Sequence, residues 1–226
     1  SERLWRRSKL AVNGTLNAAF MALEDGLAGN LAGGTHHAYP DHGQGYCVLN
    51  DVAIAIRELQ RGNRIRRALV IDLDVHQGNG TAEIFSDDAD VYTFSMHGEK
   101  NFPARKAVSD RDVGLPCGTG DANYLRILAG ELPGVLAAAR ADIVFYLAGV
   151  DPAGGDRYGR MLLSPEGLAA RDRLVIEAVR TSGKPLVLLL SGGYAATPRK
   201  TAELHAIAYR VAVDVYEARS KRTGEQ

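Results

Sequence analysis

Cysteine is nearly absent from this chain: Cys47 and Cys117 are the only two among 226 residues. They are too few for a disulfide scaffold and lack the close spacing of a thiolate metal site. A reducing cytoplasm is the expected compartment. No uninterrupted apolar run is long enough to cross a bilayer, and Ser1 to Lys9 is polar and basic, with no apolar signal core behind it. Charge of one sign is missing too. Lys+Arg and Asp+Glu each number 27, so the formal net charge is zero. A broad electrostatic footprint for nucleic acid is therefore not expected. The chain opens on Ser rather than Met, as a fragment or trimmed chain does. Its length suits one sizeable α/β domain, expected over residues 1–226.

What is present alternates between two periods. Apolar runs rich in Val, Ile and Leu read as buried strands over Ala68 to Val75, Val91 to Met96, Asp142 to Val150 and Pro185 to Leu190. Helical patterns run over Leu10 to Leu27, Asp51 to Gln60, Pro165 to Thr181 and Arg199 to about Arg219. Ser164 suits an N-cap, with Pro165 in the first turn and Gly183 at the stop. Strands alternating with helices predict a parallel sheet covered on both faces.

Polar clusters fall at the carboxyl ends of the predicted strands, where parallel α/β sheets bind ligands. Asp72, Asp74 and His76 end one strand, Asp151 follows another, and Ser191 to Tyr194 follow a third. Residues i and i+2 of a strand share a face, so Asp74 and His76 are expected to point the same way and grip one ion, with Asp151 as a third ligand. Two carboxylates and one imidazole leave a position open, the pattern of a catalytic zinc site. The competing expectation is a solvated turn with Asp151 as a helix cap. Ending a buried strand with three ionisable groups speaks against it, because unpaired buried charge is costly.

His36 and His37 follow the loop residues Gly33-Gly-Thr35. Adjacent histidines in extended chain do not bind one metal side by side, but they suit acid–base work on a bound water, or simply a surface pair. In Ser191-Gly-Gly-Tyr194 the glycines allow a tight turn that presents the phenol to a polarised carbonyl, or merely lets it pack.

The ordered set Gly33-Gly-Thr-His-His-Ala38, Gly45-Tyr-Cys47, Asn50-Asp51, Ile71-Asp-Leu-Asp-Val-His-Gln-Gly-Asn-Gly80, Ala148-Gly-Val-Asp151, Gly155-Asp-Arg157 and Ser191-Gly-Gly-Tyr194 resembles the histone deacetylase family. It looks most like class IV members and their bacterial relatives. The resemblance covers the chain from about Gly33 to the final helix. It implies a three-layer α/β/α fold with a central, mainly parallel sheet (arginase/deacetylase-like), here short of the family's N-terminal segment, so that one sheet edge and part of the channel mouth lie open. It implies zinc on Asp74, His76 and Asp151, catalysis by His36, His37 and Tyr194, and outer support from Asp72 and Asn79. A structural potassium ion would sit at Asp72, Asp74, His76, Ser95 and Met96. Gly45, Tyr46, Phe102 and Tyr158 match the walls and rim of an acyl channel, and Cys47 is a small buried filler beside it. The implied substrate is N-acyl-lysine or another acylated amine.

Asn79 stands where class I members carry Asp. An amide does not stabilise an imidazolium as a carboxylate does, so His37 is expected to be neutral at rest. Tyr158 replaces a smaller aliphatic residue and either narrows the channel or packs on the surface. Rival readings are a small-molecule amidohydrolase such as an acetylpolyamine deacetylase, and a catalytically idle acyl-binding module. A binuclear manganese ureohydrolase of the same fold would need more Asp and His ligands. Acyl length and oligomeric state are left open.

Overall fold

A computed structural model describes residues 1–223, so residues 224–226 of the expected domain lie outside the described residues. Six strands form one sheet in the order β1 (Leu27–Asn30), β6 (Leu186–Leu189), β5 (Ile143–Leu147), β2 (Ala68–Asp72), β3 (Val91–Gly98), β4 (Arg111–Leu115). Every pairing is parallel, so the sheet is parallel throughout rather than mainly so. The helices are α1 (Glu2–Asp25), α2 (Asp51–Arg61), α3 (Asn79–Ile84), α4 (Asp121–Ala139), α5 (Pro165–Thr181) and α6 (Pro198–Thr223).

The period of two along each central strand splits the interior in half. Ala68, Val70, Ile143, Phe145, Leu147, Val187 and Leu189 face one way, against Ala18, Ala19 and Ala22 of α1 and Val52, Ile56 and Leu59 of α2. Leu69, Ile71, Val144, Tyr146, Leu186 and Leu188 face the other, against α4, α5 and α6. Strands buried on both faces have no polar alternation, which is why they read as continuous apolar runs.

The expected helix from Leu10 starts at Glu2, where Ser1 caps it by accepting from the Leu4 amide. The expected strand from Ala68 to Val75 ends at Asp72, and residues 73–76 continue as a turn. Both sheet edges were absent from the sequence reading, as was α4. Among the described residues β1 forms one edge of the sheet, pairing with β6 and lying beside α1.

Candidate active site

The chain just beyond β2, β5 and β6 brings the polar residues together. The Leu73 amide donates to Leu147 and the Val150 amide to Gly192, so the three strand ends stay in register past the formal sheet. Asp74, His76 and Asp151 converge there, all buried, each offering a ligand atom within 4.8 Å of the others. His76 Nδ1 lies 3.1 Å from Asp74 Oδ1 and 3.0 Å from Asp151 Oδ2. Burial disfavours the His76 cation, yet the two carboxylates overcome this and raise its pKa to about 10. Burial, with the charge of Asp74, raises Asp151 to about 7. This crowding of anionic donors around one imidazole is relieved by a cation, and one that enters must displace the His76 proton. The donor set fits a divalent ion.

Asp74 is held on its outer side as well. Its Oδ2 accepts from Ser191 Oγ at 2.8 Å and from the Gly192 amide at 2.7 Å. A Cβ on Gly192 would lie 2.3 Å from Asp151 Oδ2 and 2.6 Å from Asp74 Oδ2, so only glycine lets the backbone approach both carboxylates.

The His36–His37 loop is fixed from α2. Asp51 accepts from the Gly34 and Thr35 amides and from the hydroxyls of Thr15 and Thr35. Asn50 caps α2 by accepting from the Ala53 amide, and donates to the Ala38 carbonyl. The two imidazoles lie tilted against each other, centroids 4.1 Å apart, but meet different partners. His36 Nδ1 is 2.6 Å from Asp72 Oδ2. Burial opposes its charge, but Asp72 and Asp74 raise its pKa to about 9, so it is a fixed cation near neutral pH.

His37 Nδ1 is 2.6 Å from Asn79 Oδ1, and Asn79 Nδ2 donates to Tyr39 and Gln44. That orients the amide oxygen to the ring, so Nδ1 carries the proton and Nε2 is free. Burial and the neighbouring His36 charge depress the His37 pKa to about 3. Asn79 itself favours the protonated ring, less than a carboxylate would, and burial with the His36 charge outweighs it. Asn79→Asp is expected to raise the His37 pKa and move the acidic limb of the kcat/KM profile to higher pH. An unmoved limb in a pH–rate series sinks this account.

Tyr194 stays a neutral phenol, since burial and the charges of Asp74 and Asp151 push its pKa up. Its amide donates to Asp156 Oδ2 at 2.6 Å, while Asp156 Oδ1 accepts from the Tyr158 and Gly159 amides. Tyr158 meets the Tyr194 ring edge-on at 4.9 Å, so it belongs to the rim rather than to a separate surface. Gly45, Tyr46, Phe102 and Tyr158 line one cavity of about 390 Å³ with His37, His76 and Tyr194. Phe102 stands edge-on to His37 at 5.0 Å. A Cβ on Gly45 would lie 2.3 Å from His37 Cδ2, so this wall must be glycine. Cys47 is buried beside it, and burial pushes its thiol up to about 12, an unreactive filler. Ser95 pairs in register with Asp72 and faces His97, its Oγ 2.9 Å from the ring; Met96 is buried next to it.

Sequence reasoning missed a second support. Arg171 of α5, fully buried, donates to the Gly149 carbonyl at 2.6 Å and reaches the Leu73 carbonyl at 3.4 Å. Its charge is met by Asp172, which also accepts from Tyr146 Oη at 2.5 Å. These carbonyls lie next to Asp74 and two residues before Asp151. The available signal was Arg-Asp on the otherwise apolar inward face of an amphipathic helix. Asp156 was visible only as part of a quoted motif.

Strand-end carboxylates, a paired imidazole and an adjoining cavity define a parallel α/β protein with a candidate divalent-metal centre at the carboxyl edge of its sheet. The chain belongs to the histone deacetylase family: the Histone deacetylase domain matches residues 1–210. It is 49% identical over 211 residues to an uncharacterized protein of Picosynechococcus sp., covering 93% of this chain and 70% of that one. It is 38% identical to histone deacetylase 2 of Arabidopsis thaliana, covering 81% of this chain and 48% of the relative. A probable deacetylase of Methanothermobacter thermautotrophicus is 34% identical, with 83% and 59% covered. The chain thus spans about half the length of the two relatives named as deacetylases. Among the described residues, no helix is long and apolar enough to cross a membrane.

Proposed function

We propose that this chain carries the catalytic centre of a zinc-dependent deacylase that hydrolyses the amide of an acylated amine, with N-acyl-lysine as the leading substrate. One observation carries the reading: the Asp74, His76 and Asp151 donors converge at one strand edge, and His76 of that set lines a cavity together with the neutral His37 and the Tyr194 phenol. A divalent ion held there supplies Lewis acidity toward a carbonyl oxygen and makes a nearby water more acidic. The rest is done by this chain's side chains. His37 Nε2 takes the proton of the attacking water and later delivers one to the departing amine nitrogen. His36, held cationic by Asp72, contributes field and no base. Tyr194 donates its hydroxyl proton in a hydrogen bond to the carbonyl oxygen as negative charge develops. Gly45, Tyr46, Phe102 and Tyr158 exclude water along the bound acyl-amine between the mouth and the centre. The products are a carboxylate and a free amine.

Membership of the family supports a structural potassium ion at the backbone of Asp72, Asp74 and His76 with Ser95 and Met96. Both cysteines are free, in keeping with a cytoplasmic setting. Acetyl release from acetyl-lysine peptides is expected to vanish after chelation and return on adding zinc. Full activity in chelator, or tight zinc with no turnover of any acyl-amine, would overturn the proposal.

A further inference from the structure

The mouth of the channel carries charge of one sign. Lys100 and Arg160, both exposed, line it beside Phe102 and Tyr158, and among the described residues no carboxylate contributes to the lining of this cavity. Among the described residues, neither cation is in an ion pair with a side-chain carboxylate. The carboxylates of the surrounding segments lie outside this lining. Asp156 is spent on three backbone amides of its own and the Tyr194 loop. Glu99 lies alongside Gly114 of β4. Asp41 and Glu58 border a different groove. In a chain of zero net charge, two cations outside any ion pair at one mouth are a local feature, not a reflection of bulk composition.

The catalytic groups lie inward of this rim, so the acyl group points in and the amine's carrier stays at the mouth. We infer that Lys100 and Arg160 select acyl-amines whose amine side carries negative charge, and reject polycationic ones such as acetylated polyamines. This rests on the deacylase reading for the direction of entry. Charge near a channel mouth acts on encounter and on binding, and water and salt weaken it. Each exposed pairing is worth up to about fivefold, so acidic over basic carriers should differ by roughly tenfold in kcat/KM at low salt.

The test uses acetyl-lysine peptides of one length with acidic, neutral or basic flanks, assayed in low and high salt. Labelled versions of the same peptides are followed by fluorescence anisotropy, which reads binding without turnover. A smaller pair, Nα-acetyl-Nε-acetyl-lysine as the free carboxylate and as the methylamide, asks whether one charge on the lysine itself suffices. The expected result is a preference for acidic flanks that shrinks in high salt and inverts in the Lys100→Glu/Arg160→Glu double variant. If the small carboxylate outruns its amide, the charge is read on the amine's own carrier; if only the peptides differ, it is read on flanking residues. Equal rates for all flanks, or a preference for basic ones, overturn the inference and leave the deacylase reading standing. No turnover with tighter binding of acidic peptides keeps the rim and removes the deacylase. No turnover and no binding preference removes both.

Discussion

Asp74→Asn is expected to lower metal affinity at least about 100-fold, the upper range for losing even an outer partner of a metal site, and to abolish turnover with it. Asp74 serves two sets of contacts at once. Its Oδ1 faces His76 Nδ1 and accepts from the His76 amide, and its Oδ2 accepts from Ser191 and Gly192. An amide offers one oxygen and one NH2, so one of these acceptor positions becomes a donor pointing at a donor. The buried His36 cation, 3.9 Å from Asp74 Oδ1, also loses a counter-charge. Removing one partner of a buried charge pair typically costs about 3–5 kcal/mol, so Tm should fall by roughly 10 °C for a domain of this size. Competition with a chromophoric chelator and a thermal melt check both parts. Retained metal and turnover would remove Asp74 from the centre.

His37→Ala should reduce kcat by about 10²- to 10⁴-fold, the usual contribution of a positioned acid–base group, with metal content unchanged. His37 lies among the side chains that border the cavity, its ring centroid 6.1 Å from that of His76, but it is not one of the three converging donors. Its hydrogen bond goes to Asn79, not to the metal cluster. Loss of activity with zinc retained therefore separates proton transfer from metal binding. Loss of the metal as well would make His37 a support of the centre rather than its base.

The central strands and the site were legible because their physics is local. Strands β2, β5 and β6 are buried on both faces, and the charged residues that end them have few structural excuses. The edges were not legible. β4 reads Arg111-Asp-Val-Gly-Leu115, with the polarity of a strand that meets water. β1 is four residues, two of them Gly29 and Asn30. Helix α4 hides behind Gly130, Pro133 and Gly134, which punctuate a sequence; here Pro133 sits inside a helix whose Tyr124, Leu128, Leu132 and Val135 pack on the sheet. Tertiary burial overrides a local breaker. That burial and a charged His36 ring depress the His37 pKa was not legible, since both depend on how the loop folds.

The Arg171 clamp ties the construction of the centre to the docking of one helix. Its guanidinium starts on α5 yet grips carbonyls at the tips of β2 and β5, and arginine keeps its proton at any ordinary pH. Those tips gain their final spacing only once α5 has settled on the sheet. A transient opening that lifts this helix would scatter the ligands while most strands stayed paired, so competence for chemistry should vanish earlier in unfolding than the bulk of the secondary structure.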